Sequence, residues 1–254
     1  MKKIVIALFI LVFINQGITQ TTKVVYGDTV NLTDANGKKQ GNWVETAGSY
    51  QVKGKYINDK KEGSWITYHP NGMVNKVDTY THGILDGITV TLDDKGYMLT
   101  EESYKMGILH GYFRKFASGG RKLSEMNYQN GKLNGWKTLY YDNGKIQEES
   151  FYVDDLRDSV TTWYDQNGKK VAEYSYLKGI FEGPQITYYD DGSIMIQEKF
   201  KNNLEEGEYK EFYKGGKPKI IGQFINGKQE GKWTEYGEDG KEVKVTKYKN
   251  GVGK

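Results

Sequence analysis

Gly63-Ser64-Trp65-Ile66-Thr67-Tyr68-His69-Pro70-Asn71-Gly72-Met73-Val74-Asn75-Lys76-Val77-Asp78-Thr79-Tyr80 is one β-hairpin written out. A six-residue segment opens on glycine and closes on an aromatic residue. A His-Pro-Asn-Gly turn follows, and a second extended segment closes on another aromatic. Asn-Gly is a hairpin turn because both residues tolerate positive φ. Outward from this stretch the aromatic closures recur every twelve residues. The series is Tyr56, Tyr68, Tyr80, Leu92, Tyr104, Phe116, Tyr128, Tyr140, Tyr152, Tyr164, Tyr176, Tyr188, Phe200, Phe212, Phe224, Tyr236 and Tyr248. Sixteen of these seventeen positions are aromatic in a chain that is 14% aromatic, so the spacing is a structural period.

Glycine sets the full unit at 24 residues. Gly63, Gly87, Gly111, Gly135, Gly183, Gly207 and Gly231 form one column, with Ser159 in the remaining place. Gly72, Gly96, Gly120, Gly144, Gly168, Gly192, Gly216 and Gly240 form a second without exception. A third holds Gly83, Gly107, Gly131, Gly179, Gly227 and Gly251, with Asp155 and Asn203 as replacements. Turn residues interrupt every stretch before a helix could nucleate. The expectation is an all-β, elongated array of about eight 24-residue antiparallel hairpins in a single sheet, each unit supplying its neighbours' burial. The aromatic ladder is its expected internal packing, ring on the same ring of adjacent units.

The N-terminus reads differently. Lys2 and Lys3 precede an apolar run over residues 4–14 and a short polar stretch to Thr19. This is the pattern of a secretory signal peptide over residues 1–19, and the run is too short to span a bilayer, which needs ~20 residues. Residues 20–55 carry a diverged first repeat: Asn36-Gly37, Gly41 and Trp43 mimic the turn and strand start at Gly83–Gly87 and Gly63–Trp65, although Gly41 to Gly63 is 22 residues. Residues 56–254 carry the regular repeats. The chain is thus expected to be exported, to periplasm, cell surface or medium. With no cysteine, disulfides are excluded. The net charge is +3, or +1 without Lys2 and Lys3, and charges are interspersed, so nucleic acid is not an expected partner.

The pattern Asn-Gly-Lys-x-x-Gly-x-Trp-x-x-Tyr resembles the MORN-repeat variant family of bacteria. It stands at Asn226-Gly-Lys-Gln-Glu-Gly-Lys-Trp-Thr-Glu-Tyr236, and closely at Asn130-Gly-Lys-Leu-Asn-Gly-Trp-Lys-Thr-Leu-Tyr140. The resemblance implies a β-hairpin array used for binding or scaffolding. Some members are labelled antitoxins, and eukaryotic MORN arrays are associated with lipid kinases and membrane attachment. Asp155-Leu156-Arg157-Asp158-Ser159, which lacks both glycines, departs most from the pattern.

Chemistry is scarce. His69, His82 and His110 form no metal-ligand spacing, and no nucleophile elbow or phosphate loop occurs, so no catalytic, cofactor or metal residue is expected. Acid pairs such as Asp93-Asp94 and Asp190-Asp191 sit where turns favour Asp. Aromatics outside the ladder are the candidate partner-binding residues. Trp65, Phe113, Tyr209 and Trp233 share one position, and Trp163 lies two further along its strand. By alternation all five project opposite to the Tyr68-type column. They form a strip for a partner if that side is open and cover the sheet's back if it is not. The expected role is a non-enzymatic protein-binding scaffold; membrane lipid, glycan or an antitoxin-like inhibitory role are the alternatives.

Overall fold

The computed structural model describes residues 23–25 and 28–254. The expected signal peptide, residues 1–19, lies outside the described residues. The chain divides into two compact units, Met1–Gly120 and Arg121–Lys254. Strands and turns make up the described residues, with no helix among them.

In the first unit Lys39–Ala47, Tyr50–Ile57, Lys60–Tyr68 and Val74–Thr81 pair antiparallel in chain order. Val74–Thr81 pairs onward with Gly87–Leu92, then Met98–Lys105 and Ile108–Phe116 follow. In the second unit the same meander starts at Lys122–Gln129 and continues through five hairpins to Glu242–Lys249. The quoted stretch is one such hairpin, with Gly63 opposite Tyr80 and Trp65 opposite Asp78.

Two turn types alternate. In the three-residue loop after Tyr68, His69 N–H donates to the Met73 carbonyl and Gly72 N–H to the His69 carbonyl, both at 2.8 Å. Gly72 has φ +87°, as the left-handed closing position of such a loop requires. The other type has two residues, both at positive φ, for example Asn226 at 48° and Gly227 at 74°. That is the type I′ turn, whose twist matches that of paired strands.

The I′ turns also tie consecutive hairpins together. Gly83 N–H donates to the Lys61 carbonyl at 2.8 Å, and Gly227 N–H to the Glu205 carbonyl at 2.9 Å. The preceding turn residue donates to a carboxylate one repeat back: His82 N–H to Glu62 Oε2 at 2.8 Å and Asn226 N–H to Glu206 Oε2 at 2.8 Å. Thus the acid just before the first glycine column has a structural duty. The departure at residues 155–159 is absorbed in place. Asp155 and Ser159 both take φ 69°, and the Asp155 carboxylate accepts from Leu133 N–H at 2.8 Å.

The first repeat is shorter for a local reason. Its strands meet at Ala47 and Tyr50 around a two-residue turn with no register shift, whereas regular hairpins shift register beside a three-residue loop. One expectation is corrected here. Asn36-Gly37 forms a three-residue loop, with Asp34 N–H donating to the Lys38 carbonyl and Gly37 N–H to the Asp34 carbonyl. It therefore matches the Gly72 turn rather than the Gly83 turn.

The deepest column is the one that holds Trp65. Trp65 is 1% exposed and Trp233 7%, and Thr89, Thr161 and Gln185 at the same repeat position are buried too. The ladder residues are half-buried, Tyr56 fully so. The same-ring packing expected of the ladder is replaced by contacts to intervening rings. Tyr56 packs edge-on to Trp65 at 4.8 Å, Phe224 to Trp233 at 5.1 Å, and Trp233 to Tyr248 at 6.0 Å. Equivalent strands of consecutive repeats are two strand spacings apart, ~9.6 Å, so equivalent rings meet only by leaning over a small residue between them, as Tyr209 and Trp233 do over Gly222. Two off-column glycines make room for the indoles: a Cβ on Gly54 would lie 2.2 Å from Trp65 Cδ2, and one on Gly222 2.1 Å from Trp233 Cδ2.

Gly54→Ala is therefore expected to destabilise the fold by about 1–3 kcal/mol through overpacking, measured by denaturant unfolding. Ser159→Gly should stabilise it by about 1 kcal/mol, since glycine adopts the left-handed conformation without the Cβ penalty.

Candidate functional site

The five candidate aromatics fall on one face, opposite to Tyr68, as alternation requires. That face is the packed one. Trp65 and Trp233 are buried, and Phe113, Trp163 and Tyr209 are half-buried. Tyr209 stacks on Trp233 at 5.4 Å, and Trp163 meets Tyr174 edge-on at 5.1 Å. That side is not open, so of the two readings the rings cover the sheet and fill the space between neighbouring hairpins. Trp163 also lies beside an ion pair: Arg157 donates to Glu148 Oε1 at 2.8 Å, with its guanidinium 5.7 Å from the Trp163 ring and 5.5 Å from that of Tyr176. Ser150 Oγ donates to the same carboxylate at 2.9 Å. This buried network gives residues 148–163 a structural role.

The accessible surface is on the other face, one residue earlier in each hairpin. In the second unit each hairpin places a cross-strand pair there: Trp136 with Phe151, Val160 with Ser175, Pro184 with Lys199, Glu208 with Gln223, and Lys232 with Lys247. Trp136 is 56% exposed, its ring 5.3 Å from Phe151 and nearly perpendicular to it, and Val160 is 41% exposed. The row is thus aromatic and aliphatic at its start, and later holds Lys199, then Glu208 with Gln223, then two lysines. Lys232 pairs with Glu242 at 3.0 Å, while Lys199 and Lys247 have no ion-pair partner among the described residues. In the first unit the same position holds exposed Ile88 and Tyr112. Trp136 was missed from sequence because it follows its glycine by one residue instead of two. That single step puts it on the opposite face.

The ladder phenols are engaged on both faces. Tyr164 O–H donates to Glu149 Oε2 at 2.7 Å, Tyr104 O–H to Glu102 Oε2 at 2.6 Å, and Tyr188 O–H to Glu173. Burial, then the adjacent carboxylate, pushes each of these three phenols up to about 12. Among the described residues no group of three His, Cys, Asp or Glu side chains is placed to hold a metal ion.

Five segments match the MORN repeat variant family: residues 61–82, 137–154, 157–178, 181–202 and 205–226. Four of them run from just before the first glycine position to the next I′ turn, so each covers one hairpin, and residues 137–154 cover most of another. The same geometry continues beyond them, at Gly87–Leu92 with Met98–Lys105 and at Lys228–Tyr236 with Glu242–Lys249. No curated protein matches the chain.

The phenols make stability fall at alkaline pH. An unfolded tyrosine ionises near its ordinary value of 10.0, whereas Tyr104, Tyr164 and Tyr188 ionise in the fold at about 12. Their contribution is therefore complete below pH ~10 and lost as pH rises towards ~12. Unfolding free energy measured across that window should decline steadily. Tyr164→Phe, which removes one phenol, should flatten the decline.

Proposed function

We propose that this chain, which belongs to the MORN repeat variant family, is an exported, non-enzymatic scaffold that binds another protein of the bacterial envelope or exterior. The observation that carries this is the exposed row of the second unit, with Trp136 at its apolar end. An exposed tryptophan held by a neighbouring ring is the kind of anchor that dominates protein interfaces. The partner surface that fits is apolar against Trp136, Val160 and Pro184 and acidic against Lys199 and Lys247. Export rests on the leader pattern of Lys2, Lys3 and the apolar run over residues 4–14.

Affinity capture from the native envelope with residues 20–254 as bait tests this. A defined protein should be retained, and Trp136→Ala should weaken it by about 2 kcal/mol, roughly thirtyfold. Lys199→Glu with Lys247→Glu should weaken it further and remove its salt dependence. Retention of the same protein by Trp136→Ala with unchanged affinity would sink this assignment.

A further inference from the structure

Seven Asn-Gly dipeptides punctuate the chain, and at five of them the fold treats the carboxamide in one of two ways. Asn71 is tied at both ends: its Nδ2 donates to the Asp94 carbonyl at 2.9 Å and its Oδ1 accepts from Met73 N–H at 3.0 Å. Asn143 is held likewise by the Gln166 carbonyl at 2.7 Å and Lys145 N–H at 3.0 Å. At Asn226 and Asn250 only the backbone N–H is bonded, to Glu206 and Glu230, and the carboxamides have no partner among the described residues. Asn36 shares that freedom although it sits in a three-residue loop, its N–H alone bonding to Asp34. The glycine N–H is bonded at all five places, so it does not separate them.

We propose that Asn226, Asn250 and Asn36 are sites of spontaneous deamidation in the folded protein, and that Asn71 and Asn143 are protected. The glycine nitrogen, losing its proton to solvent base, attacks the asparagine side-chain carbonyl carbon. The bond from that carbon to Nδ2 breaks and ammonia leaves, which closes a succinimide ring. Water then opens the ring at either carbonyl, giving aspartate or isoaspartate. The attack requires the carboxamide to turn over the glycine nitrogen. At Asn71 and Asn143 that rotation sacrifices two hydrogen bonds. At Asn226, Asn250 and Asn36 it sacrifices none.

The product has a structural consequence at the I′ turns. A carboxylate at position 226 would face Glu206, whose own carboxylate accepts from that residue's N–H at 2.8 Å. Isoaspartate would also insert a backbone methylene between Ile225 and Lys228, which pair directly across the two-residue turn. Each event loosens the tie between one hairpin and the hairpin before it. An exported protein that is not replaced would accumulate them with age.

The test is peptide mapping by mass spectrometry, with isoaspartate detection, after timed incubation of the intact chain at mildly alkaline pH. A parallel sample is kept unfolded in guanidinium. In the folded protein Asn226, Asn250 and Asn36 should convert, and Asn71 and Asn143 should lag by about tenfold or more, as two ordinary hydrogen bonds imply. In the unfolded sample all five should convert at similar rates. Asn71 and Asn143 keeping pace in the folded protein would overturn the proposal. So would Asn226 and Asn250 staying intact for as long as the unfolded chain needs to convert fully.

Discussion

Equivalent residues of consecutive hairpins stand two strands apart, ~9.6 Å, so a side chain meets its own counterpart only by leaning over the strand between, as Tyr209 and Trp233 do across Gly222. Side-chain packing between repeats therefore depends largely on what the strand in between carries. On the packed face the position holding Trp65 fills this role, together with the facing position one strand earlier that holds Gly54. The two trade volume. Where one is glycine the other is tryptophan, at Gly54 with Trp65 and at Gly222 with Trp233. Where one is serine the other is threonine, at Ser150 with Thr161, both fully buried. What is kept from repeat to repeat is the position on the packed face and not the residue that fills it.

This decides what was legible in the sequence. The hairpin, its 24-residue period and its turn positions could be read because each turn demands particular backbone conformations that few residues adopt. The buried column could not be read by looking for a kept residue, since it holds Trp65, Thr89, Phe113, Lys137, Thr161, Gln185, Tyr209 and Trp233. It looked irregular and so looked free for a partner. Its signal lay elsewhere, in Gly54 and Gly222, which belong to no glycine column and each precede a tryptophan by eleven residues. The acid before the first glycine was visible as well, at Glu62, Glu182, Glu206 and Glu230. Its purpose appears only once the turn N–H it accepts is seen to come from the following repeat.

The same logic explains why loss of a turn glycine is tolerated. A left-handed position filled by Asp155 or Asn203 loses glycine's conformational freedom and gains a side-chain acceptor. Asp155 uses it on Leu133 N–H at 2.8 Å and Asn203 on Phe181 N–H at 2.7 Å. Each adds a second bond where a glycine makes only its backbone one. In this repeat Arg157 also replaces an apolar residue on the packed face, and it is balanced by Glu148, Ser150 and three surrounding rings. Removing Glu148 would deprive Arg157 of its carboxylate on the packed face, a costly loss for a partly buried charge.

Because one face is committed to filling the gap between repeats, the other is released from it, and its composition is set by something else. Solvent contact alone would favour polar residues at every position of the exposed row, as at Glu208 and Gln223. It does not account for Trp136, Phe151, Val160 and Pro184 in three consecutive hairpins, with the unpaired lysines Lys199 and Lys247 in the third and fifth pairs of the row. A large ring that is more than half exposed lowers solubility and adds little packing to the unit that carries it. Ser64, at the same repeat position, shows that a small polar side chain is accommodated there without loss of the strand. The aromatic end of the row is thus a feature the fold permits but does not need, which is the ground on which we propose it as a partner contact.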